Sequence, residues 1–125
     1  MTKRILIVDD AATVRMYHRA ILESAGYTVD EAVNGIEALE KALTTQYDLY
    51  LVDVNMPKMD GYAFLRELRG SAGLGQPPAV MISTEAELDD RTKAYEAGAN
   101  FYILKPTRPE SLIGHVRVLL GERSQ

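Results

Sequence analysis

The sequence predicts an α/β protein with a five-stranded parallel sheet. Short, continuous apolar runs suit strands buried on both faces of such a sheet. Between them lie longer segments whose apolar residues recur at helical spacing. Strand and helix alternate along the whole chain, as in folds built from right-handed crossovers.

Each element has its own signal. The strong strand candidates are Arg4–Val8, Leu49–Val52, Ala79–Ile82 and Phe101–Leu104, with a weaker one at Tyr27–Val29. Five helices are marked, in chain order, by Val14, Tyr17, Ile21 and Leu22; by Ile36, Leu39 and Leu43; by Tyr62, Phe64, Leu65 and Leu68; by the more polar segment Ala86–Ala97; and by Leu112, Val116, Leu119 and Leu120. Gly26 and Gly98 are placed to end the first and fourth helices.

The composition fits one globular domain. The chain has 125 residues, 46% hydrophobic and 26% charged, which is ordinary for a globular protein with a substantial core. Gly70–Pro78 is predicted to be a loop and not a domain boundary, because a strand follows it at once. We therefore expect residues 1–125 to form one domain without an output domain.

Composition also disfavours several classes of function. Without cysteine there is no disulfide, thiolate-bound zinc or catalytic thiol. A net charge of −4, with no Lys/Arg cluster, argues against a nucleic-acid partner. No apolar run approaches the roughly 20 residues of a membrane helix, and the first strand leaves no room for a signal peptide. We expect a cytoplasmic protein with no nucleic-acid or membrane partner.

Polar residues follow four of the predicted strands. In chain order they are Asp9 and Asp10, Asp53, Ser83 and Thr84, and Lys105. The carboxyl ends of parallel strands lie at one edge of a sheet, and sites form there where the strand order reverses. If the first and third strands are neighbours, three carboxylates meet, with a hydroxyl and an ammonium group nearby.

This combination favours phosphoryl chemistry. Three adjacent carboxylates repel one another unless one is protonated or a cation joins them. Mg²⁺ takes oxygen ligands, often one or two carboxylates plus a phosphate. Lys105 would then pair with a phosphate oxygen and Ser83 would donate a hydrogen bond. A carboxylate is the only suitable nucleophile in the group, so Asp53 is the candidate phosphoryl acceptor.

Each residue also has an ordinary explanation. Asp10 could cap the first helix, and Asp53 and Asn55 could belong to a proline turn. Ser83 could be another helix cap, and Lys105 an ordinary exposed lysine. Their joint occurrence at predicted strand ends favours a shared site.

Four segments carry a family resemblance. "ILIVDD", "LVDVNMPKMDGYAFL", "VMISTEAE" and "GANFYILKP" resemble the receiver domains of two-component response regulators, over essentially the whole chain. The pattern is most similar to the stand-alone chemotaxis (CheY-like) members. The resemblance implies a flavodoxin-like, doubly wound sheet of strand order 2-1-3-4-5 with five helices.

The resemblance also implies roles for the metal and acceptor residues. Asp53 matches the phosphorylated aspartate. Asp10 matches a direct Mg²⁺ ligand, while Asp9 matches an acid that acts mainly through water. Asn55 matches the position whose backbone carbonyl completes the metal site.

Further residues match the phosphoryl-binding and switch positions. Ser83 and Lys105 match the groups that contact the phosphoryl group, and the Lys105–Pro106 peptide is expected to be cis. Tyr102 matches an aromatic residue that turns inward on activation, although on an edge strand it could simply cover the core. Thr84 replaces the Ala or Gly of many receivers, and its bulk predicts a longer phosphorylated lifetime.

The implied function is that of a signalling switch and not of an enzyme with a separate substrate. A histidine kinase would phosphorylate Asp53, and a phosphatase could reverse the reaction. The surface of the fourth helix, fifth strand and fifth helix would then bind a target such as the flagellar motor switch. A phosphorelay intermediate or a phosphate sink fits the same residues.

Other classes fit less well. A haloacid-dehalogenase-type phosphatase needs more chain and an Asp-x-Asp-x-Thr motif, whereas this chain has Asp9-Asp10-Ala11-Ala12-Thr13. A nucleotide-binding module would need a glycine-rich loop after the first strand. A docking module that is never phosphorylated would typically lack part of the acidic site, Ser83 or Lys105. His18 and His115 are predicted to be surface or half-buried residues without ligand partners.

Overall fold

The computed structural model describes residues 2–84 and 88–122. Its strands are β1 (Arg4–Val8), β2 (Thr28–Ala32), β3 (Leu49–Asp53), β4 (Ala79–Ser83) and β5 (Phe101–Leu104). Its α-helices are α1 (Ala12–Ser24), α2 (Gly35–Thr44), α3 (Gly61–Gly70), α4 (Leu88–Ala97) and α5 (Pro109–Leu119). The start predicted for the fourth helix, at Ala86, lies outside the described residues. A 3₁₀ turn, Ala72–Leu74, lies within the predicted loop.

All four strand pairings are parallel, in the order β2-β1-β3-β4-β5. This confirms the doubly wound fold and places β1 beside β3. Alternate residues of the central strands point to opposite faces. Leu6 and Val8 belong to the core beneath α2, α3 and α4, whereas Ile5 and Ile7 belong to the core beneath α1 and α5.

The edge strand β2 is longer than its prediction, which ended at Val29. Two acidic residues concealed the pattern, but both have partners that allow partial burial. Asp30 accepts hydrogen bonds from Arg4 and from the Tyr47 hydroxyl. Glu31 bonds two arginines of α1. Ion pairing therefore lets acidic side chains occupy this edge of the sheet.

Helix α2 packs through a face that matches the prediction only in part, because Leu39 packs against the core but the other two predicted residues do not. Ile36 and Leu43 are 42% and 71% exposed, whereas Ala38 and Ala42 are buried. The apolar stripe was assigned from the largest side chains, whereas the buried face is formed by the two alanines with Leu39 beside them. Alanines at this contact let the helix lie close to its neighbours, since interhelical and helix–sheet distances depend on side-chain size.

None of the helices within the described residues is long and apolar enough to cross a membrane.

The start of α3 lies directly against the end of β3. The Gly61 amide donates to Val54 O at 2.9 Å, and Asp60 caps the helix by accepting from Ala63 N at 2.8 Å. A Cβ on Gly61 would lie 2.4 Å from Asp53 O and 2.7 Å from Met81 Cε. Asp60 therefore marks the start of α3, and glycine is required beside Asp53 because a Cβ there would meet the Asp53 carbonyl oxygen.

We therefore predict opposite effects for two glycine-to-alanine substitutions within helices. Gly61→Ala should lower the free energy of unfolding by about 1–3 kcal/mol, because the new methyl group meets backbone. Gly114→Ala, in α5, meets nothing within 4 Å. It should raise that free energy by roughly 0.5–1 kcal/mol through helix propensity. Denaturant unfolding measures both, and equal effects would contradict the close contact at Gly61.

Candidate metal and phosphoryl site

Three carboxylates meet at the carboxyl edge of the sheet. Asp9 and Asp10 follow β1, and Asp53 is the last residue of β3. One oxygen from each side chain lies within 4.8 Å of the others. Asp9 and Asp53 are only 3% and 7% exposed, while Asp10 is exposed. The pairing of β1 with β3 thus produces the cluster that the sequence predicts.

Lys105 reaches this cluster from the end of β5. Its Nζ donates to Asp53 Oδ1 at 2.8 Å and lies 3.4 Å from Asp9 Oδ2. Its backbone amide donates to Ser83 O at 2.8 Å, which fixes the loop after β5 against β4. The Lys105–Pro106 peptide is cis, as the resemblance implies.

Asp9 also organises the start of α1. Its Oδ1 accepts from Ala11 N at 2.9 Å, and its backbone carbonyl accepts from Arg15 Nη1 at 2.8 Å. In the described structure Ala11 is the N-cap of α1, and no side chain there makes a cap hydrogen bond. The alternative that Asp10 serves as the helix cap is therefore wrong, and its exposed carboxylate faces the acidic cluster.

The balance of charge in the cluster is unfavourable. Burial raises the pKa of Asp53, the hydrogen bond from Lys105 opposes that rise, and the negative charges of Asp9 and Asp10 add to it. Burial alone would lower the pKa of Lys105, but its contacts with Asp53 and Asp9 outweigh burial and raise it. Within the described residues, this ammonium group bonds two of the three carboxylates.

The donor set suits a hard divalent cation. Carboxylate oxygens are the ligands that Mg²⁺ prefers, and a cation between them removes the repulsion. Asp9, Asp10 and Asp53 could hold the ion. Asn55 is exposed in the loop two residues after Asp53, where its carbonyl could join them.

Ser83 ends β4 and Thr84 follows it, both near Lys105. Ser83 is 1% exposed and pairs in register with Leu104 of β5. Thr84 is exposed and lines a cavity together with Lys105. Both residues therefore lie at the edge of the sheet that carries the acidic cluster.

Tyr102 lies inward in this structure. It is 2% exposed, belongs to the core beneath α4, and has the Arg91 guanidinium carbon 5.4 Å from its ring centre. This inward position fits the alternative in which Tyr102 simply covers the core. A rotation of the ring on activation stays a prediction.

The prediction for His18 was wrong, whereas that for His115 was right. His18 is 2% exposed and contacts Thr107, while His115 is half-buried with its ring centre 4.3 Å from that of Phe101. A sequence signal did exist. His18 lies four residues after Val14 and three before Ile21, on the same apolar stripe of α1.

Comparisons with known proteins show the family to which the chain belongs. Residues 5–117 match the family model of the response regulator receiver domain. The chain is 39% identical over 122 residues to the transcriptional regulatory protein ResD of Bacillus subtilis, covering 98% of this chain and 50% of that protein. It thus spans about half the length of that relative.

Two solved structures share the fold closely. The chemotaxis response regulator CheY4 of Vibrio cholerae has a TM-score of 0.89 and 32% identity, over 95% of this chain and 99% of that one. The receiver domain of the sensor histidine kinase PA1611 of Pseudomonas aeruginosa has a TM-score of 0.89 and 30% identity, over 98% and 100%, with a magnesium ion in its active-site cleft. The chain described here belongs to the response regulator receiver domain family.

Proposed function

We propose that this receiver domain is a phosphorylation switch in which Asp53 accepts a phosphoryl group from a phosphohistidine of a partner kinase. The observation that carries the proposal is the 2.8 Å contact between Lys105 Nζ and Asp53 Oδ1 inside a cluster of three carboxylates. The contact puts a cation beside the atom that would be phosphorylated. The similarity to other receiver domains supports the same chemistry.

In the proposed reaction, an Asp53 carboxylate oxygen forms a bond to phosphorus as the phosphorus–nitrogen bond of the phosphohistidine breaks. The electron pair returns to the imidazole nitrogen, which is then protonated. Lys105 leaves its bond to the carboxylate and pairs with an oxygen of the transferred group. The product is an aspartyl phosphate on this chain, so the protein acts as a switch and not as an enzyme with a separate substrate.

Asp10, Asp53 and the Asn55 carbonyl are the proposed direct Mg²⁺ ligands, and Asp9 would complete the metal site mainly through water. When bound, Mg²⁺ would neutralise charge on the carboxylates and on the phosphoryl oxygens. The magnesium ion in the similar PA1611 receiver supports this assignment. The role of Lys105 is separate, because it pairs with the phosphoryl group from the side of β5.

The output would be a change in binding to another protein. Ser83 would contact the phosphoryl group, and Tyr102, one strand away, would respond by altering the surface of α4, β5 and α5. Such a switch biases two conformations by a local change of charge. The likeness to a chemotaxis protein supports a flagellar target, whereas the likeness to ResD favours a transcriptional pathway as a second candidate. A phosphorelay or sink role fits the same residues.

We expect acetyl phosphate with Mg²⁺ to add one phosphoryl group to the wild type, detected as intact mass. Asp53→Asn should remain unlabelled, because the amide lacks the nucleophilic oxygen. Asp60→Asn is a matched control, since asparagine also caps helices and, within the described residues, the Asp60 side chain makes the α3 cap hydrogen bond described above. It should be labelled like the wild type, and chelator should abolish labelling in both.

Labelling of Asp53→Asn at the wild-type level would contradict the proposal. So would a wild type that takes no label and also fails to bind beryllofluoride, a phosphoryl mimic that cannot be hydrolysed.

Thr84 is expected to prolong the phosphorylated state. Its exposed side chain stands beside Lys105, where it would obstruct water approaching the phosphoryl group. Thr84→Ala should therefore lose phosphate severalfold faster, measured as the decay of the phosphorylated mass. Thr44→Ala, an exposed threonine at the end of α2, is the control and should leave the rate unchanged. Equal decay of Thr84→Ala and wild type would contradict the steric role.

A further inference from the structure

Helix α1 holds the loop after β5 through hydrogen bonds from two adjacent residues. His18 Nε2 and Thr107 Oγ1 are 2.8 Å apart, and the Tyr17 hydroxyl donates to Thr107 O at 2.7 Å. The Tyr17 and His18 rings also pack edge to face, with centres 5.4 Å apart. We call these three residues, Tyr17, His18 and Thr107, the α1 clasp.

The histidine–threonine bond is shielded from water. His18 is 2% exposed and Thr107 is 5% exposed. Burial lowers the pKa of His18 to about 4, with smaller and opposed effects from Asp9 and Lys105. The ring is therefore neutral at neutral pH, and the bond joins two uncharged groups. Removing only one group of such a buried pair is costly in free energy, because the other group is then left without a hydrogen bond.

Thr107 of the clasp lies two residues after Lys105, the lysine of the phosphoryl site. The Lys105 amide bonds Ser83 O, its Nζ bonds Asp53 Oδ1, and Thr107 is bound by α1. The loop is thus fixed to β4 at one end and to α1 at the other. Helix α1 also begins just after Asp9 and Asp10, so one helix links the acids to the lysine loop.

The surroundings leave room for the loop to move if the clasp is removed. A cavity of about 360 Å³ lies beside it, lined in part by Val14, Tyr17, Pro106 and Thr107. Where the loop faces this cavity, side-chain packing gives it less support than a close-packed interior would. The clasp bonds are therefore direct restraints on this side of the loop.

We propose that the α1 clasp positions Lys105 for phosphoryl transfer, so that Tyr17, His18 and Thr107 are positioning residues of the reaction. The inference rests on the proposed phosphorylation of Asp53. None of the three residues would touch the reacting atoms. They would act by holding the Lys105 backbone at a position from which Nζ can move from Asp53 to the phosphoryl oxygens. The rate of phosphoryl transfer is very sensitive to such placement.

The first test is Tyr17→Phe, which removes one donor and keeps the ring. Tyr17 is 45% exposed, so the variant is expected to fold. At saturating Mg²⁺ and acetyl phosphate, its phosphorylation rate constant should fall by about tenfold through misplacement of Lys105. The Mg²⁺ dissociation constant, measured by calorimetry, should stay at the wild-type value because the metal ligands are untouched.

Tyr47→Phe is the matched control. The Tyr47 hydroxyl also donates one hydrogen bond, to the Asp30 carboxylate at 2.9 Å, at the β2 edge and away from the clasp. Its loss should leave the rate unchanged. The double variant His18→Leu/Thr107→Val removes both partners of the buried bond, so neither is left unsatisfied. It should slow the reaction in the same way as Tyr17→Phe.

Three results would overturn the positioning role. The first is a wild-type rate in Tyr17→Phe and in the double variant. The second is a parallel loss of Mg²⁺ affinity, which would indicate general loosening of the fold, and the third is equal slowing by Tyr47→Phe. A wild type that takes no label would contradict the phosphorylation of Asp53 itself and the clasp's role with it.

Discussion

The bond between Lys105 and Asp53 is the interaction on which the arrangement of the site depends. Parallel pairing of β1 with β3 forces three carboxylates together, and a single ammonium group from β5 bonds two of them within the described structure. The compensation is incomplete, because the pKa of Asp53 remains raised by burial and by its acidic neighbours. The site is thus organised around a deficit of positive charge that a bound metal ion could offset.

This deficit lowers stability at neutral pH. A carboxyl group whose pKa is higher in the folded than in the unfolded protein favours folding while it is protonated. That contribution is lost as the pH rises through the pKa of the group in the folded protein. Ionised Asp53 therefore opposes folding at neutral pH.

Other features keep the charged side chain in place. Gly61 lets α3 approach the Asp53 carbonyl, and the loop that carries Lys105 is bound to both β4 and α1.

Local patterns in the sequence predicted most of the strands and the polar residues at their ends. They did not predict every contact. Buried strands appear in the sequence as continuous apolar runs. Asp53 and Lys105 were identified as site candidates because they are polar residues at the ends of such runs. The edge strand β2 was shortened because Asp30 and Glu31 are paired by residues distant in sequence. The position of His18 on the apolar stripe of α1 indicated its burial, but its hydrogen bond with Thr107, 89 residues away, has no local signal. No local periodicity reports such long-range hydrogen bonds.

The most direct test of this electrostatic account is the pKa of the Asp53 carboxyl group, followed by ¹³C NMR with and without saturating Mg²⁺. In the metal-free protein we expect a pKa above the ordinary 3.8, because burial and the charge of Asp9 outweigh the hydrogen bond from Lys105. Bound Mg²⁺ should lower it, since the cation favours the ionised form. A metal-free value at or below 3.8, or one that Mg²⁺ leaves unchanged, would contradict the account.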